Sequence, residues 1–239
     1  EQTPDLASWK QIQAKALVTG QAFMEGGKMR VEFRLWDVNT QQQLAAQQFT
    51  TSPKNDRRIG HMIADIIYKQ MTGIDGYFDT RIVFVTEEGP KDKRVKRLAI
   101  MDQDGANAEF LLSNYAAVIN PRFSPTDQVV LYGAYIPDPR YPGATLLRTY
   151  LYDLSTGRQE MLAEGAGQLD FSARFSPDGK SIVFNRAERG NTDIYKIDLA
   201  SRRLTRLTTD SSIDVSPSFS PDGTQIVFQS DRGGSKQLY

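Results

Sequence analysis

Three segments of this chain nearly repeat one another, and no other feature limits its fold as strongly. They are PRFSPTDQVVLY (121–132), ARFSPDGKSIVF (173–184) and PSFSPDGTQIVF (217–228). Their marker phenylalanines, Phe123, Phe175 and Phe219, stand 52 and 44 residues apart (175 − 123 and 219 − 175). A period of about 40–50 residues with strand-like content is that of propeller blades. Ser-Pro-Asp-Gly is a turn with a mechanism: Pro presets φ, Asp suits the second central position, and Gly closes the turn. Each turn leads into an apolar run such as Ser181–Phe184. A polar turn follows, then a segment alternating with period two (Asp193–Asp198), then a short last strand (Leu204–Thr208). Four short strands per repeat are the content of one blade.

Residues 81–112 read as a further repeat without its FSP strand. Arg81–Thr86 align with Ser181–Arg186, and Arg97–Asp102 with Asp193–Asp198. The last repeat reaches Tyr239, the counterpart of Tyr195. Two full and two partial repeats predict a propeller whose ring is completed outside these residues. An FSP-type strand from further along the parent chain is expected to complete the first blade. The fold class is therefore a partial all-β propeller with four-stranded blades, preceded by a small, incomplete α/β domain. The boundaries are 1–76 for the α/β domain and 77–239 for the blades.

The non-repeating part reads as three strands and a helix. The strands are Ala14–Phe23, Met29–Val38 and Gln43–Thr50, with Gly26-Gly27 as a hairpin signal. Ile59, Met62, Ile63, Ile66 and Ile67 give an apolar helical stripe, with Pro53 near its start and Gly73 as its stop.

Composition removes several functions. Lys plus Arg and Asp plus Glu both number 29, so no net charge draws the chain toward phosphate backbones, and no nucleic-acid partner is expected. The chain contains no cysteine, which excludes disulfides and thiolate metal sites. No apolar run approaches the ~18 residues of a membrane span, so no membrane insertion is expected.

Catalytic motifs are also missing. There is no G-x-S-x-G elbow, and Asp178-Gly-Lys-Ser181 lacks the upstream glycine of a phosphate-binding loop. His61, the single histidine, lies among apolar helix residues and reads as structural. Asp102-Gln-Asp-Gly-Ala-Asn107 resembles a calcium loop but lacks its third aspartate and distal glutamate, so it reads as a hairpin turn. Lys91, Lys93, Arg94, Lys96 and Arg97, interrupted by Asp92, read as a solvated hairpin, with an acidic-partner patch as the sharper alternative. No catalytic, cofactor or metal residue is assigned. A propeller rim without such groups points to binding.

Longer stretches carry a resemblance. Gly76-Tyr-Phe-Asp-Thr-Arg-Ile-Val-Phe-Val85, Gly89-Pro-Lys91 and Arg94–Asn107 strongly resemble the TolB family of Gram-negative bacteria, as do Ala16–Gln21, Val31–Val38 and Ser230–Gly234. The resemblance implies a periplasmic protein without catalytic activity, with an α/β domain and a six-bladed propeller. It implies docking of the lipoprotein Pal at one propeller mouth, and contact with TolA through an N-terminal segment that precedes this chain. The implied role is in the Tol–Pal system, in outer-membrane integrity and cell division. Carried over by the position of each FSP, the Pal-docking residues are Val118, Ile119 and Asn120; Leu169, Asp170, Phe171 and Ser172; and Asp214, Val215 and Ser216, in loops leading into the FSP strands. Two other readings stand beside this one. One is the propeller cap of a prolyl-oligopeptidase-like serine peptidase, which would need a hydrolase domain. The other is a carbohydrate-binding propeller using Phe171 and Tyr115.

Overall fold

The computed structural model describes residues 3–91, 93–112, 117–163, 169–188 and 190–239. The chain divides into two compact units, residues 1–81 with 102–104, and residues 82–101 with 105–239.

In the first unit, helix α1 (Leu6–Gln11) precedes the antiparallel meander β1 (Ala16–Glu25), β2 (Lys28–Asp37) and β3 (Gln42–Thr51). Gly26 and Gly27 both take positive φ (57° and 78°), which a tight hairpin with the right twist requires. Phe33 and Leu35 are buried from β2, and Trp36 caps the other face, donating from Nε1 to Thr19 Oγ1 at 3.1 Å. Leu6 brings α1 onto Trp36 and Val38. Helix α1 has no periodic signature in the sequence, because six residues with one buried apolar side chain carry no helical pattern. Asp5 marks its start, accepting from Ala7 N.

A 3-10 turn (Pro53–Asn55) leads into α2 (Asp56–Thr72), which packs on β2 and β3. The predicted stripe is its inner face, with Ile59 fully buried and Met62, Ile63, Ile66 and Ile67 half-buried. Gly73 ends the helix at φ 74°. Asp65 then holds the outgoing chain by accepting from Phe78 N (2.6 Å) and Asp79 N (3.0 Å). A Cβ on Gly76 would lie 2.2 Å from Asp65 Oδ1, so only glycine passes there. No helix among the described residues is long and apolar enough to cross a membrane.

The second unit holds four blade sheets. The first is β4 (Arg81–Glu88), β5 (Val95–Asp102) and β6 (Glu109–Phe110). The second is β7 (Val118–Phe123), β8 (Val129–Pro137), β9 (Thr145–Asp153) and β10 (Gln159–Met161). The third is β11 (Leu169–Phe175), β12 (Ser181–Glu188), β13 (Asn191–Asp198) and β14 (Leu204–Arg206), and the fourth β15 (Asp214–Phe219), β16 (Ile226–Ser230) and β17 (Gln237–Leu238). All are antiparallel meanders, as the repeat predicts. β4 has no FSP-strand neighbour among the described residues, and Tyr239 bonds Phe228 in both directions (2.9 and 3.1 Å).

The middle strands are apolar without alternation because both faces are covered. From β8, Val130, Tyr132 and Ala134 pack with Leu98 of the first blade, whereas Leu131 packs with Ile182, Phe184 and Ile197 of the third.

The turns behave as their chemistry requires. Ser176 N bonds Ser181 O (2.8 Å), and Gly179 N bonds Ser176 O (2.9 Å). Asp178 accepts from the Ser176 hydroxyl and from Lys180 N. Ser220, Asp222, Gly223, Thr224 and Gln225 repeat this set. The turns also touch one another. A Cβ on Gly179 would fall 2.1 Å from Thr126 Oγ1 of the preceding blade, and one on Gly223 3.4 Å from Pro177.

Gly179 thus serves both a positive φ (71°) and a close approach, whereas Gly143 (φ 84°) faces open space. Gly143→Ala is expected to cost about 1 kcal/mol from φ alone, and Gly179→Ala clearly more, by urea unfolding. The turn carboxylates also set an acid limit. The Ser220 hydroxyl, then the Thr224 N–H and hydroxyl, lower Asp222 from 3.8 to about 2. Its stabilising contribution is present above 3.8 and lost as pH falls through about 2. The unfolding temperature should therefore drop between those values, and Asp222→Asn should flatten that drop.

Candidate functional site

The residues assigned to the docking mouth occupy equivalent places in β7, β11 and β15. They lie in the first halves of these strands rather than in loops before them. The reason is a bulge common to all three. Pairing runs Val118↔Ala134, Ile119↔Gly133 and then jumps to Arg122↔Leu131. It runs Asp170↔Arg186, Phe171↔Asn185 and jumps to Arg174↔Val183, then Asp214↔Ser230, Val215↔Gln229 and jumps to Ser218↔Val227. At each jump a non-glycine residue takes the left-handed conformation: Asn120 (φ 51°), Ser172 (55°) and Ser216 (56°). Such residues cost of order 1–3 kcal/mol and persist where surroundings dictate them. Bulges of this kind re-aim side chains and are common beside functional sites.

The three members of each set play different parts. Val118, Asp170 and Asp214 are buried. Ile119, Phe171 and Val215 are half-buried and form an apolar row. Asn120 and Ser216 are exposed and Ser172 is half-buried. Leu169 contributes backbone to β11. Tyr115 and Asp92 lie outside the described residues.

Buried ion pairs hold the set in place. Asp170 takes a two-pronged contact from Arg186 (Nε–Oδ1 2.6 Å, Nη2–Oδ2 2.8 Å), with both side chains 3% exposed. The Arg186 guanidinium lies over the rings of Phe184 and Tyr195 at 5.4 and 5.5 Å. The fourth blade repeats the device, with Arg232 on Asp214 (2.9 and 3.1 Å) and over Phe228 and Tyr239. Blade-to-blade bonds tie the sets together. Thr149 Oγ1 donates to Asp170 O (3.0 Å), and Ser216 N donates to Asn185 Oδ1 (3.3 Å). Asn185 Nδ2 is buried without a partner beside this bond. Sequence reasoning missed the arginines. The available signal was an Asp at the same position of two repeats, each followed by an Arg within twenty residues.

The other candidates resolve as local structure. In the basic run, Arg94 and Lys96 pair with Glu87 (3.0 and 3.7 Å), and Arg97 with Glu88 (3.8 Å) while lying over Phe110. The hairpin therefore neutralises much of its own charge. His61, Asp102 and Asp104 bring ligand atoms within 4.8 Å of one another. Asp104, however, is held by Arg57 and stands 3.4 Å from His61 Nε2. A guanidinium already on that carboxylate competes with any cation.

Comparison with known proteins fits this architecture. Residues 68–239 match the model of the TolB beta propeller domain, and residues 1–44 that of the TolB amino-terminal domain. The Tol-Pal system protein TolB of Gluconobacter oxydans is 47% identical over 209 residues, covering 87% of this chain and 44% of that protein. The crystal structure of TolB from Acinetobacter baumannii superposes with a TM-score of 0.80 at 33% identity, over 99% of this chain and 57% of that one. The chain thus spans about half the length of these relatives.

The buried pair gives a direct test of what shapes the bulges. Arg186→Met leaves Asp170 charged and unpaired, so a loss of about 3–5 kcal/mol is expected in chemical denaturation. Arg232→Met should cost less, because its side chain is 32% exposed and water can reach the orphaned carboxylate's partner site.

Proposed function

This chain belongs to the TolB family, and we propose that it is part of a non-catalytic, periplasmic protein-binding scaffold of the Tol–Pal system. In this reading the bulged ends of β7, β11 and β15 dock the lipoprotein Pal. A segment preceding this chain engages TolA, and the assembly serves outer-membrane integrity and cell division. The observation that carries the docking site is the repeated bulge. Three adjacent strands turn an apolar side chain (Ile119, Phe171, Val215) to partial exposure at one level, over carboxylates neutralised from within.

The three ranks of residue then divide the work. Val118, Asp170 and Asp214 are buried and fix the backbone rather than touch the partner. Ile119, Phe171 and Val215 supply the contact area, and Asn120, Ser172 and Ser216 supply polar groups beside it. The Leu169 backbone opens β11 at the same rim. A preformed surface of this kind needs little reordering on binding, which favours affinity. Few of these residues will dominate; an aromatic in a half-buried setting is the best candidate.

The test is calorimetric titration of the full-length protein with the soluble domain of Pal. Phe171→Ala is expected to weaken binding about tenfold or more, some 1.4 kcal/mol, without changing the unfolding temperature much. Binding by the folded protein that is unaffected by Phe171→Ala, Ile119→Ala and Val215→Ala would move the docking site elsewhere. No binding at all would remove the Pal assignment.

A further inference from the structure

The same three strands end, after their bulges, at the Ser-Pro turns, and there they enclose a second feature with a different chemistry. A groove of about 340 Å³ runs across the ends of β7, β11 and β15. Phe123, Phe175, Phe219 and the turn prolines form its apolar wall, and Arg122 and Arg174 supply its charge. The two arginines are equivalent residues, each the first paired residue after the bulge (Arg122↔Leu131, Arg174↔Val183). The third strand has Ser218 at this position.

Neither cation is neutralised by a carboxylate among the described residues. Arg140, Arg186, Arg206 and Arg232 in the blades each hold an aspartate. Arg174 instead makes a single bond, from Nη1 to the carbonyl of Ala173 at 2.8 Å, and is half-buried. The Arg122 side chain is exposed and makes no hydrogen bond or ion pair with any described residue. Partial burial, and then the charge of Arg122, push the Arg174 pKa down. Lys196 Nζ adds a third cation at this groove, 5.9 Å from the centre of the Phe219 ring.

We propose that this groove binds an acidic peptide segment of a partner protein, with carboxylates on Arg122 and Arg174 and the intervening chain against Phe123, Phe175 and Phe219. Guanidinium forks match carboxylates two bonds at a time, and partial desolvation strengthens the contact. The groove has the volume of a small-ligand pocket, larger than a single inorganic anion fills. Its apolar wall suits a peptide and offers nothing to a bare phosphate. The site lies at the opposite end of the strands from the proposed docking mouth and uses none of its residues, so the two readings stand or fall separately.

The experiment is fluorescence anisotropy of labelled hexaglutamate with the full-length protein. Saturable binding is expected, weakening as salt rises toward about 0.5 M. Arg122→Ala with Arg174→Ala should weaken it at least about tenfold. Phe171→Ala at the other end should leave it unchanged. Phe175→Ala should also reduce affinity, because the peptide lies against the apolar wall. Removing Arg174 relieves repulsion and desolvation, so its Ala variant is expected to unfold at the same or a higher temperature. No saturable binding, or equal binding by the double variant, overturns the proposal. Competition by inorganic phosphate at the same concentration as peptide carboxylate would mark a small-anion site and also overturn it. An Arg174→Ala variant that unfolds earlier while binding is retained would make the residue structural.

Discussion

The blade region depends on one constraint: its middle strands are buried on both faces, so no blade can satisfy its apolar surface alone. Val130, Tyr132 and Ala134 need the first blade, and Leu131 needs the third. Burial of this kind contributes roughly 25 cal/mol per Å² of apolar surface, and the share from one face would be lost if the neighbour covering it were removed. The neighbour's position is therefore fixed by the same side chains that fill the core. That brings β7, β11 and β15 side by side, and equivalent sequence positions become equivalent spatial ones. A motif repeated along the chain becomes a row.

Polar groups then adjust what the apolar packing sets. The Asp170–Arg186 and Asp214–Arg232 pairs sit where the strands leave regular pairing. A buried ion pair adds little net stability over an apolar substitute, so its value here is geometric. It fixes the strand beside the left-handed Ser172 and Ser216, conformations that an unconstrained serine avoids. The second blade shows that the pair is one solution among others. It places Val118 at the aspartate position and packs it in the core, and its left-handed residue is an asparagine, which accepts that conformation more readily.

Much of this was legible in the sequence, for reasons that also explain the gaps. The Ser-Pro-Asp-Gly turns are read from local chemistry, and their hydrogen bonds follow that reading residue by residue. The α2 stripe and the Gly26-Gly27 hairpin are likewise local. The family relationship was visible in Gly76–Asn107, and the structure gives part of the reason: Gly76 has to clear Asp65. The bulges were not legible. Val-Ile-Asn-Pro, Asp-Phe-Ser-Ala and Asp-Val-Ser-Pro share no turn signature, and the groups that fix the strand beside the left-handed residue are sixteen or more positions away, such as Arg186 for Asp170. Non-local pairing leaves no periodicity to detect. For the same reason nothing in the repeats marks Arg122 and Arg174 as neighbours, since they are brought together only by the stacking of blades.

The two ends of the inner strands differ in whether their charge is settled internally. At the bulged end each carboxylate already has its guanidinium, so what faces outward is apolar and hydrogen-bonding surface. At the turn end two guanidinium groups have no carboxylate among the described residues, and their repulsion is tolerated. A rigid sheet stack cannot relieve that repulsion by rearranging, because Phe175 and Ala173, which flank Arg174, are tied into the interblade core. Rigidity thus has opposite consequences at the two ends. At one end it presents a finished surface, which in the proposed reading a partner would match in shape. At the other it keeps the strand around Arg174 from yielding, so the like charges of Arg174 and Arg122 stay close without a carboxylate among the described residues.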